Sequence, residues 1–329
     1  MSAPQPPIGE FELIARYFQR ATADGAPRVE LGIGDDCALI DGGPATQWAV
    51  TTDMLVERVH FLSDADPESL GHKALAVNLS DLAACGATPR CFFLALALPA
   101  VDAAWLAEFT HGMFALGDRY GCVLAGGDTT RSTQGVTIAI TALGEVPRGG
   151  ALLRSGAVAG DEIWVSGILG DGALGLACRR GEADVADSAA GAIARLERPE
   201  PRVALGERLR GIASSAIDVS DGLAGDLGHI LERSGVAAAV RWGAVPRSAA
   251  LQRLSVERQW QCVFEGGDDY ELLFTAPPTA AGAVESVARA SGVTVARIGS
   301  IHAGRGLRVV DERGSAVDIA PRAFDHFRP

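Results

Sequence analysis

Lysine is almost missing from this sequence, because Lys73 is the only lysine among its 329 residues and arginine supplies every other basic side chain. A P-loop nucleotide site needs a lysine within the pattern G-x-x-x-x-G-K-[ST], and Lys73 has no such surroundings. The strand lysine and the H-R-D triplet of protein kinases are missing as well. These two kinds of phosphate-binding kinase site are therefore excluded.

Long hydrophobic runs and paired cysteines are also lacking. The apolar run at residues 91–100 is too short for the ~20 residues of a membrane span, and the first residues show no signal-peptide pattern. The six cysteines form neither a C-x-x-C pair nor a zinc-like spacing. We therefore predict a cytoplasmic protein with reduced thiols.

Positive charge is in short supply, since the formal net charge is -12 at pH 7. A surface of this sign repels nucleic acids and anionic membranes, so neither is predicted as a partner. The 48% of hydrophobic and 21% of charged residues are ordinary for a globular protein. Any phosphate ligand would need local arginines or bound divalent cations to reverse the sign.

The order of apolar patterns predicts an α+β protein with two domains. Val-, Ile- and Phe-rich runs, several of them adjacent, alternate with helical patterns along the whole chain. The stretch at residues 147–161 is rich in glycine and arginine, which is typical of a linker. We place the boundary there, giving an N-terminal domain at residues 1–148 and a C-terminal domain at residues 149–329.

Aspartates beside glycine, serine or threonine recur where the predicted elements end. The segments are G-I-G-D-D at residues 32–36, T-T-D at 51–53, S-D at 80–81, G-G-D-T-T at 126–130 and D-V-S-D-G at 218–222. Hydroxyl and carboxylate oxygens side by side are the ligands that magnesium prefers, together with substrate phosphates. The set therefore predicts several Mg²⁺ ions held between carboxylates and phosphates.

Each aspartate taken singly also has a structural interpretation. An aspartate after glycine is a common turn residue, and Ser220 before an apolar helix is a plausible N-cap. Asp81 would share the apolar face of a helix at residues 69–85, where it could instead cap the backbone of a neighbouring loop. Arg131 and Arg154 are candidates either for phosphate contacts or for solvated surface positions.

Two glycine-rich segments extend the phosphate hypothesis. Gly126, Gly127 and Asp128 are predicted to follow a strand, where glycine lets the backbone approach an anion closely. Residues 167–172 (GILGDG) are predicted to join a strand to a helix, which would direct N–H groups toward a phosphate. Ordinary turns remain the alternative for both.

The motifs in this order resemble those of the thiamine-monophosphate kinase family. The resemblance covers essentially the whole chain and is carried by residues 10–14, 32–39 (GIGDDCAL), 52–56, 73–84 (KALAVNLSDLAA), 126–131 (GGDTTR), 154–156, 216–223 (AIDVSDGL), 266–272 (GGDDYEL) and 325–327. It implies the two-domain fold of aminoimidazole ribonucleotide synthetase. The N-terminal domain would carry a mixed or antiparallel sheet that forms a barrel in a homodimer, and the C-terminal domain would be an α/β sandwich.

The resemblance also implies a set of site residues, with ATP as co-substrate and thiamine monophosphate as acceptor. The magnesium ligands would be Asp36, Thr51, Thr52, Asp53, Asp81, Asp128, Asp218 and Asp221. The ATP contacts would be His111, Gly127, Asp128, Arg154 and Ser220. The substrate contacts would be His60, Asp268 and Phe324, although without the resemblance His60 and Phe324 fit packing roles equally well.

Two positions depart from the family pattern. Asp268 replaces the usual glutamate, which shortens by one methylene a side chain expected to contact substrate, and Ala323 stands where glycine is common. The implied reaction is direct, in-line phosphorylation of thiamine monophosphate to thiamine diphosphate. Another ATP-dependent synthetase of the same superfamily, for which Cys37 would be the cysteine beside the cluster, and a non-catalytic nucleotide- or metal-binding regulator are the alternatives.

Overall fold

The computed structural model describes residues 9–18, 28–183, 185 and 189–311. Its helices are α1 (Glu10–Tyr17), α2 (Pro67–Ala84), α3 (Ala103–Tyr120), α4 (Asp171–Arg179), α5 (Ala189–Glu197), α6 (Val203–Leu209), α7 (Leu223–Ser234), α8 (Val256–Trp260) and α9 (Ala281–Ala290). Its strands are β1 (Val29–Leu31), β2 (Ala38–Asp41), β3 (Thr46–Val56), β4 (Thr88–Leu98), β5 (Val123–Arg131), β6 (Thr137–Pro147), β7 (Glu162–Ser166), β8 (Ser215–Val219), β9 (Ala237–Arg241), β10 (Glu271–Ala276), β11 (Val295–His302) and β12 (Gly306–Val310). Within the described part of the chain, no helix is long and apolar enough to cross a membrane.

The strands form two sheets of six. The first has the order β1-β2-β3-β6-β4-β5 and is antiparallel except between β4 and β5. The second has the order β12-β9-β11-β7-β10-β8 and is antiparallel except between β9 and β12. The chain changes sheet between the end of β6 and the start of β7. The two-domain α+β prediction is confirmed, whereas the boundary at residues 148 and 149 and the dimer barrel stay predictions.

Helix α2 lies between the two sheets and is buried along almost its whole length. It begins with Asp66 as N-cap, whose carboxylate accepts from the Ser69 N–H at 2.9 Å, and with proline at its first position. Gly71 of α2 and Gly112 of α3 let these helices cross closely, because a Cβ at either position would lie 1.9 Å from a carbonyl oxygen of the other helix. This helix carries the site.

Strand β3 shows how the first sheet divides its two faces. Ala49, Thr51 and Leu55 point to the buried face, while Thr52 and Met54 are exposed. The buried face packs against α2 in the main core. The opposite face has no covering element among the described residues of this single chain.

Two local predictions are wrong. Residues 126–128 do not follow a strand but lie inside β5, which continues to Arg131 because the edge of β4 pairs with it throughout. Ser220 is not an N-cap, since α7 begins after Gly222, whose φ of 100° is a conformation that favours glycine.

Candidate active site

Three carboxylates from distant parts of the sequence meet at one point. Asp36 precedes β2, Asp81 lies in the last turn of α2, and Asp218 lies near the end of β8. One oxygen from each lies within 4.8 Å of the others. Like charges this close in a buried place require protons or cations between them.

The hydrogen bonds of the cluster hold each carboxylate in place. The Thr51 hydroxyl donates to Asp81, and the Ser80 hydroxyl donates to Asp218 at 2.7 Å. The Arg154 guanidinium donates twice to Asp36 Oδ1, at 2.6 Å from Nη2 and 3.2 Å from Nε. Asp36 Oδ2 is buried with no donor among the described residues. A buried carboxylate oxygen that accepts no hydrogen bond is suited to bind a cation.

Asp53 and Asp221 extend the cluster toward solvent. Both line a cleft of about 630 Å³ together with Asp81, Asp218 and Ser220. The side-chain amide oxygen of Asn78, on α2, accepts from the Asp53 backbone N–H at 3.2 Å. The acidic group therefore continues from a buried floor to an open cleft that could admit phosphates.

Burial raises the pKa of four acids in this group, Asp36, Asp53, Asp81 and Asp218. It raises the pKa of Asp218 to about 8, with the charge of Asp36 acting in the same direction. It raises the pKa of Asp53 to about 6, where the charges of Asp221 and Asp36 also raise it and a hydrogen bond with Asp81 opposes them. The pKa of Asp81 lies well above its ordinary value for the same reason. Without cations, the cluster keeps protons near neutral pH.

Several residues that position the site were missed in the sequence. Asp226 in the first turn of α7 accepts from the backbone N–H groups of Ser220 and Asp221, at 3.1 and 3.2 Å, and so fixes the loop that carries both. Asn78 precedes Asp81 on the same helix. Its signal in the sequence was a polar residue within an otherwise apolar helix.

His60, Asp268 and Tyr270 line the same cleft. The Val56 backbone N–H donates to His60 Nδ1 at 3.0 Å. Lys73 forms an ion pair with Asp268, 3.0 Å from Nζ to Oδ1. Of the predicted substrate residues, His60 and Asp268 thus share one cleft with the acidic cluster, while Phe324 lies outside the described residues.

The glycine loop before α4 is not open to a phosphate. Asp269 accepts from the backbone N–H groups of Gly170 and Gly172, at 2.6 and 3.0 Å. Burial raises the pKa of this carboxyl to about 8, against the effect of these two hydrogen bonds. The predicted anion site at residues 167–172 is therefore wrong, since a side chain of the protein already fills it.

Four predicted residues lie away from the cluster. Gly127 and Asp128 are on the exposed edge strand β5, and the register Asp53, Ile140, Leu94, Gly127 separates them from β3 by three strand spacings, roughly 14 Å. The Thr52 hydroxyl lies 2.9 Å from that of Thr141 on the outer sheet face. His111 is on the exposed side of α3. Their site roles stay predictions.

The cysteine beside the cluster is not a nucleophile in this state. Cys37 is buried, and its thiol donates to the Asp81 carbonyl at 3.6 Å. Burial raises its pKa well above the ordinary value, and the nearby Cys85 and carboxylates act in the same direction. A thiol that stays protonated does not support the synthetase alternative, which needed a reactive cysteine.

Comparison with known proteins decides the family. Thiamine-monophosphate kinase of Escherichia coli is 46% identical over 323 residues, covering 97% of this chain and 98% of the relative. The chain belongs to the thiamine-monophosphate kinase family. The family resemblance predicted from the motifs is confirmed, and with it the enzyme class, a kinase.

Domain and structure comparisons agree with this assignment. The profile of the AIR synthase related protein N-terminal domain matches residues 34–146, and that of the C-terminal domain matches residues 158–312. The crystal structure of thiamine-monophosphate kinase from Stenotrophomonas maltophilia is 44% identical, with a TM-score of 0.78 over 89% of this chain and 93% of that one. AaThiL complexed with AMPPCP and TMP is 30% identical, with a TM-score of 0.83 over 97% of both chains.

Proposed function

We propose that this member of the thiamine-monophosphate kinase family transfers the γ-phosphoryl group of ATP to thiamine monophosphate, giving thiamine diphosphate and ADP. The observation that carries the proposal is the carboxylate cluster beside a cleft that Asp268 and His60 also line. The carboxylates fit phosphates bridged by cations, and the remaining lining fits an organic acceptor. The names of the relatives supply the identity of that acceptor.

The donor set fits magnesium. Asp36, Asp81 and Asp218 would hold the inner ions, and Asp53, Asp221 and the Thr51 hydroxyl would complete the set toward the cleft. All are hard oxygen ligands, and Asp36 Oδ2 has no other partner among the described residues. Magnesium bound here would neutralise the carboxylates and the phosphate oxygens together.

The protein's own residues orient and confine the reactants. Arg154 is held by Asp36 and reaches the cluster through a half-buried guanidinium, which would let it contact a nucleotide phosphate beside the ions. Asp226 fixes Ser220 and Asp221 in one loop conformation, which lowers the cost of ordering that loop around ATP. Catalysis then rests on positioning and electrostatics.

Phosphoryl transfer requires no protein nucleophile in this scheme. An oxygen of the monophosphate ester, anionic near neutral pH, attacks the γ-phosphorus of ATP in line with the leaving ADP oxygen. One P–O bond forms as the bond to ADP breaks, and the charge on the transferred group spreads over its three remaining oxygens. Cations held by the cluster residues would stabilise that charge.

The working unit that we propose is a homodimer paired through the first sheet. Met54, Phe93, Val123 and Leu124 are exposed large apolar side chains on strands of this sheet. A second copy covering this surface would also bring the edge strand β5 of one protomer toward the carboxylates of the other. That arrangement accounts for the in-chain separation of Asp128 from Asp53.

Mixing two inactive variants tests the shared site. Asp53→Asn and Asp128→Asn proteins, unfolded and refolded together, form mixed dimers in which one of the two sites contains both native aspartates. We expect each variant alone to be inactive and the mixture to recover up to about a quarter of the wild-type rate, given random pairing. Failure of the mixture to recover activity while mixed dimers are present would place both aspartates in one chain's site.

The reaction itself is tested with purified protein, ATP, MgCl₂ and thiamine monophosphate. Thiamine diphosphate is followed by fluorescence after oxidation to thiochrome, and ADP is measured in parallel. We expect one thiamine diphosphate per ADP, with no product in EDTA. ATP binding without ADP release in the presence of thiamine monophosphate would refute the proposal and favour a regulator.

A further inference from the structure

The chain's single lysine is buried and pairs with Asp268, a residue that lines the cleft. Lys73 lies in α2 with 4% of its surface exposed, and its ammonium group reaches across to the loop before β10. An ammonium group is costly to bury unless a partner compensates it. Its partner is Asp268, at 3.0 Å, in a protein that otherwise uses arginine for every positive side chain.

The backbone around Asp268 is held in an unusual conformation. Asp268 has a φ of 67° and Tyr270 a φ of 51°, in the left-handed region that non-glycine residues rarely occupy. Close packing fixes the loop on both sides. A Cβ at Gly267 would lie 1.9 Å from the Ser220 carbonyl oxygen, and one at Gly172 would lie 2.5 Å from that of Asp268. Strain maintained in this way is typical of functional positions.

The two oxygens of the Asp268 carboxylate are not equivalent. Both the Lys73 ammonium group and the Tyr270 hydroxyl, at 3.0 Å each, contact Oδ1. Within the described residues, Oδ2 has no hydrogen-bond donor, and 29% of the side chain is exposed in a residue that lines the cleft. One oxygen is therefore anchored and the other is left as an acceptor.

We propose that Lys73 is a positioning residue for the acceptor: it anchors Asp268 so that Oδ2 can accept from an amino group or face a cationic ring of thiamine monophosphate. The proposal rests on the proposed function and assigns the lysine a role in acceptor binding rather than in phosphate binding. It also explains how the shorter aspartate can serve where the family pattern has glutamate, since the shorter side chain is fixed by two donors.

Steady-state kinetics of Lys73→Met, Asp268→Asn and the double variant test this role. We expect each single variant to raise KM for thiamine monophosphate about tenfold, the loss typical of one charge-assisted hydrogen bond. KM for ATP should stay unchanged and kcat should fall less. The double variant should be no worse than either single variant, because both remove the same contact. Lys73→Arg, which keeps a charged donor, should recover most of the loss.

Arg198→Met is the matched control, because Arg198 forms another ion pair to α2, 3.2 Å from Glu68, away from the cleft. It should leave both KM values unchanged. If Lys73→Met does not fold, Tyr270→Phe removes the hydroxyl that donates to Oδ1. This substitution should raise KM for thiamine monophosphate in the wild-type protein, but it should cause no further rise in the Asp268→Asn variant.

Three results would overturn the proposal. An unchanged KM for thiamine monophosphate in Lys73→Met, or in Tyr270→Phe where that variant replaces it, would leave the ion pair a purely structural role. If the increases in KM caused by Lys73→Met and Asp268→Asn multiplied in the double variant, the lysine would act on another group. An inactive wild-type protein would refute the kinase function as well, which distinguishes the two failures.

Discussion

Replacing Asp218 with asparagine is expected to stabilise the metal-free protein and abolish its response to magnesium. Burial and the charge of Asp36 raise the pKa of Asp218 from 3.8 to about 8. At pH 7 the unfolded chain ionises this group and the folded chain does not, a difference of about three pH units or about 4 kcal/mol. Asparagine avoids this cost and keeps an oxygen for the Ser80 hydroxyl.

The measured gain in the free energy of unfolding should be smaller than about 4 kcal/mol. Neighbouring carboxyls share the protons of the cluster, so removal of one acid lets the others ionise more easily. We expect about 2 kcal/mol in the free energy of unfolding, and a rise in Tm of about 4 to 8 °C. Magnesium should stabilise the wild type and have little effect on the variant.

The sign of the pH dependence follows from the same shift. A carboxyl whose pKa is raised by folding contributes stability below its unfolded pKa, and this contribution is lost as pH rises through its folded pKa. For Asp218 that window runs from about 4 to about 8. The metal-free wild type should therefore lose stability across it, and Asp218→Asn should show a shallower slope.

Thermal unfolding in EDTA and in MgCl₂, between pH 5.5 and 8.5, measures both effects. Glu285→Gln, on the exposed side of α9, removes one charge of the same sign far from the cluster and serves as the control. The reasoning is refuted if Asp218→Asn lowers the Tm of the metal-free protein below that of the wild type, or if magnesium raises the Tm of both equally.

Three further predictions address other parts of the site. Asp53→Asn should lower kcat at least about a hundredfold with an unchanged circular dichroism spectrum, and near-normal turnover at saturating magnesium would contradict the ligand assignment. Arg154→Lys should raise KM for ATP about tenfold, because an ammonium group cannot keep both donors on Asp36, and an unchanged KM would remove Arg154 from the nucleotide site. Phe93→Glu should convert the proposed dimer to a monomer in sedimentation velocity and lower activity, whereas a dimer that persists would point to another interface.

The sequence predicted the site best where chemistry is encoded locally. Asp81 stood out as a carboxylate in an apolar helix, and Asp218 and Asp221 flank a strand end, as the structure also has them. Their roles as ligands stay predictions. The meeting of Asp36 with these residues could not be derived from spacing, because it depends on how α2 is enclosed between two sheets. For that step the family resemblance was needed.

The errors came from contacts between residues far apart in the chain. The loop at residues 167–172 has the composition of an anion site, but Asp269, about a hundred residues later, occupies its N–H groups. Gly127 was predicted to follow a strand, yet it lies within β5, where it pairs with Leu94 and where a Cβ would lie 1.9 Å from the Leu94 carbonyl oxygen. Local propensity cannot reveal which partner a backbone will find.

The scarcity of lysine and the acidity of the cleft have one physical consequence. Two cations beside the cleft, Arg154 and Lys73, are each already bound to a carboxylate of the site. Neither is therefore available to neutralise an incoming triphosphate fully, and the remaining carboxylates repel it. If the proposed function holds, we expect nucleotide affinity to depend on magnesium more steeply than in a kinase with a phosphate-binding lysine, since the ions have to offset the charge of the protein before they offset that of ATP.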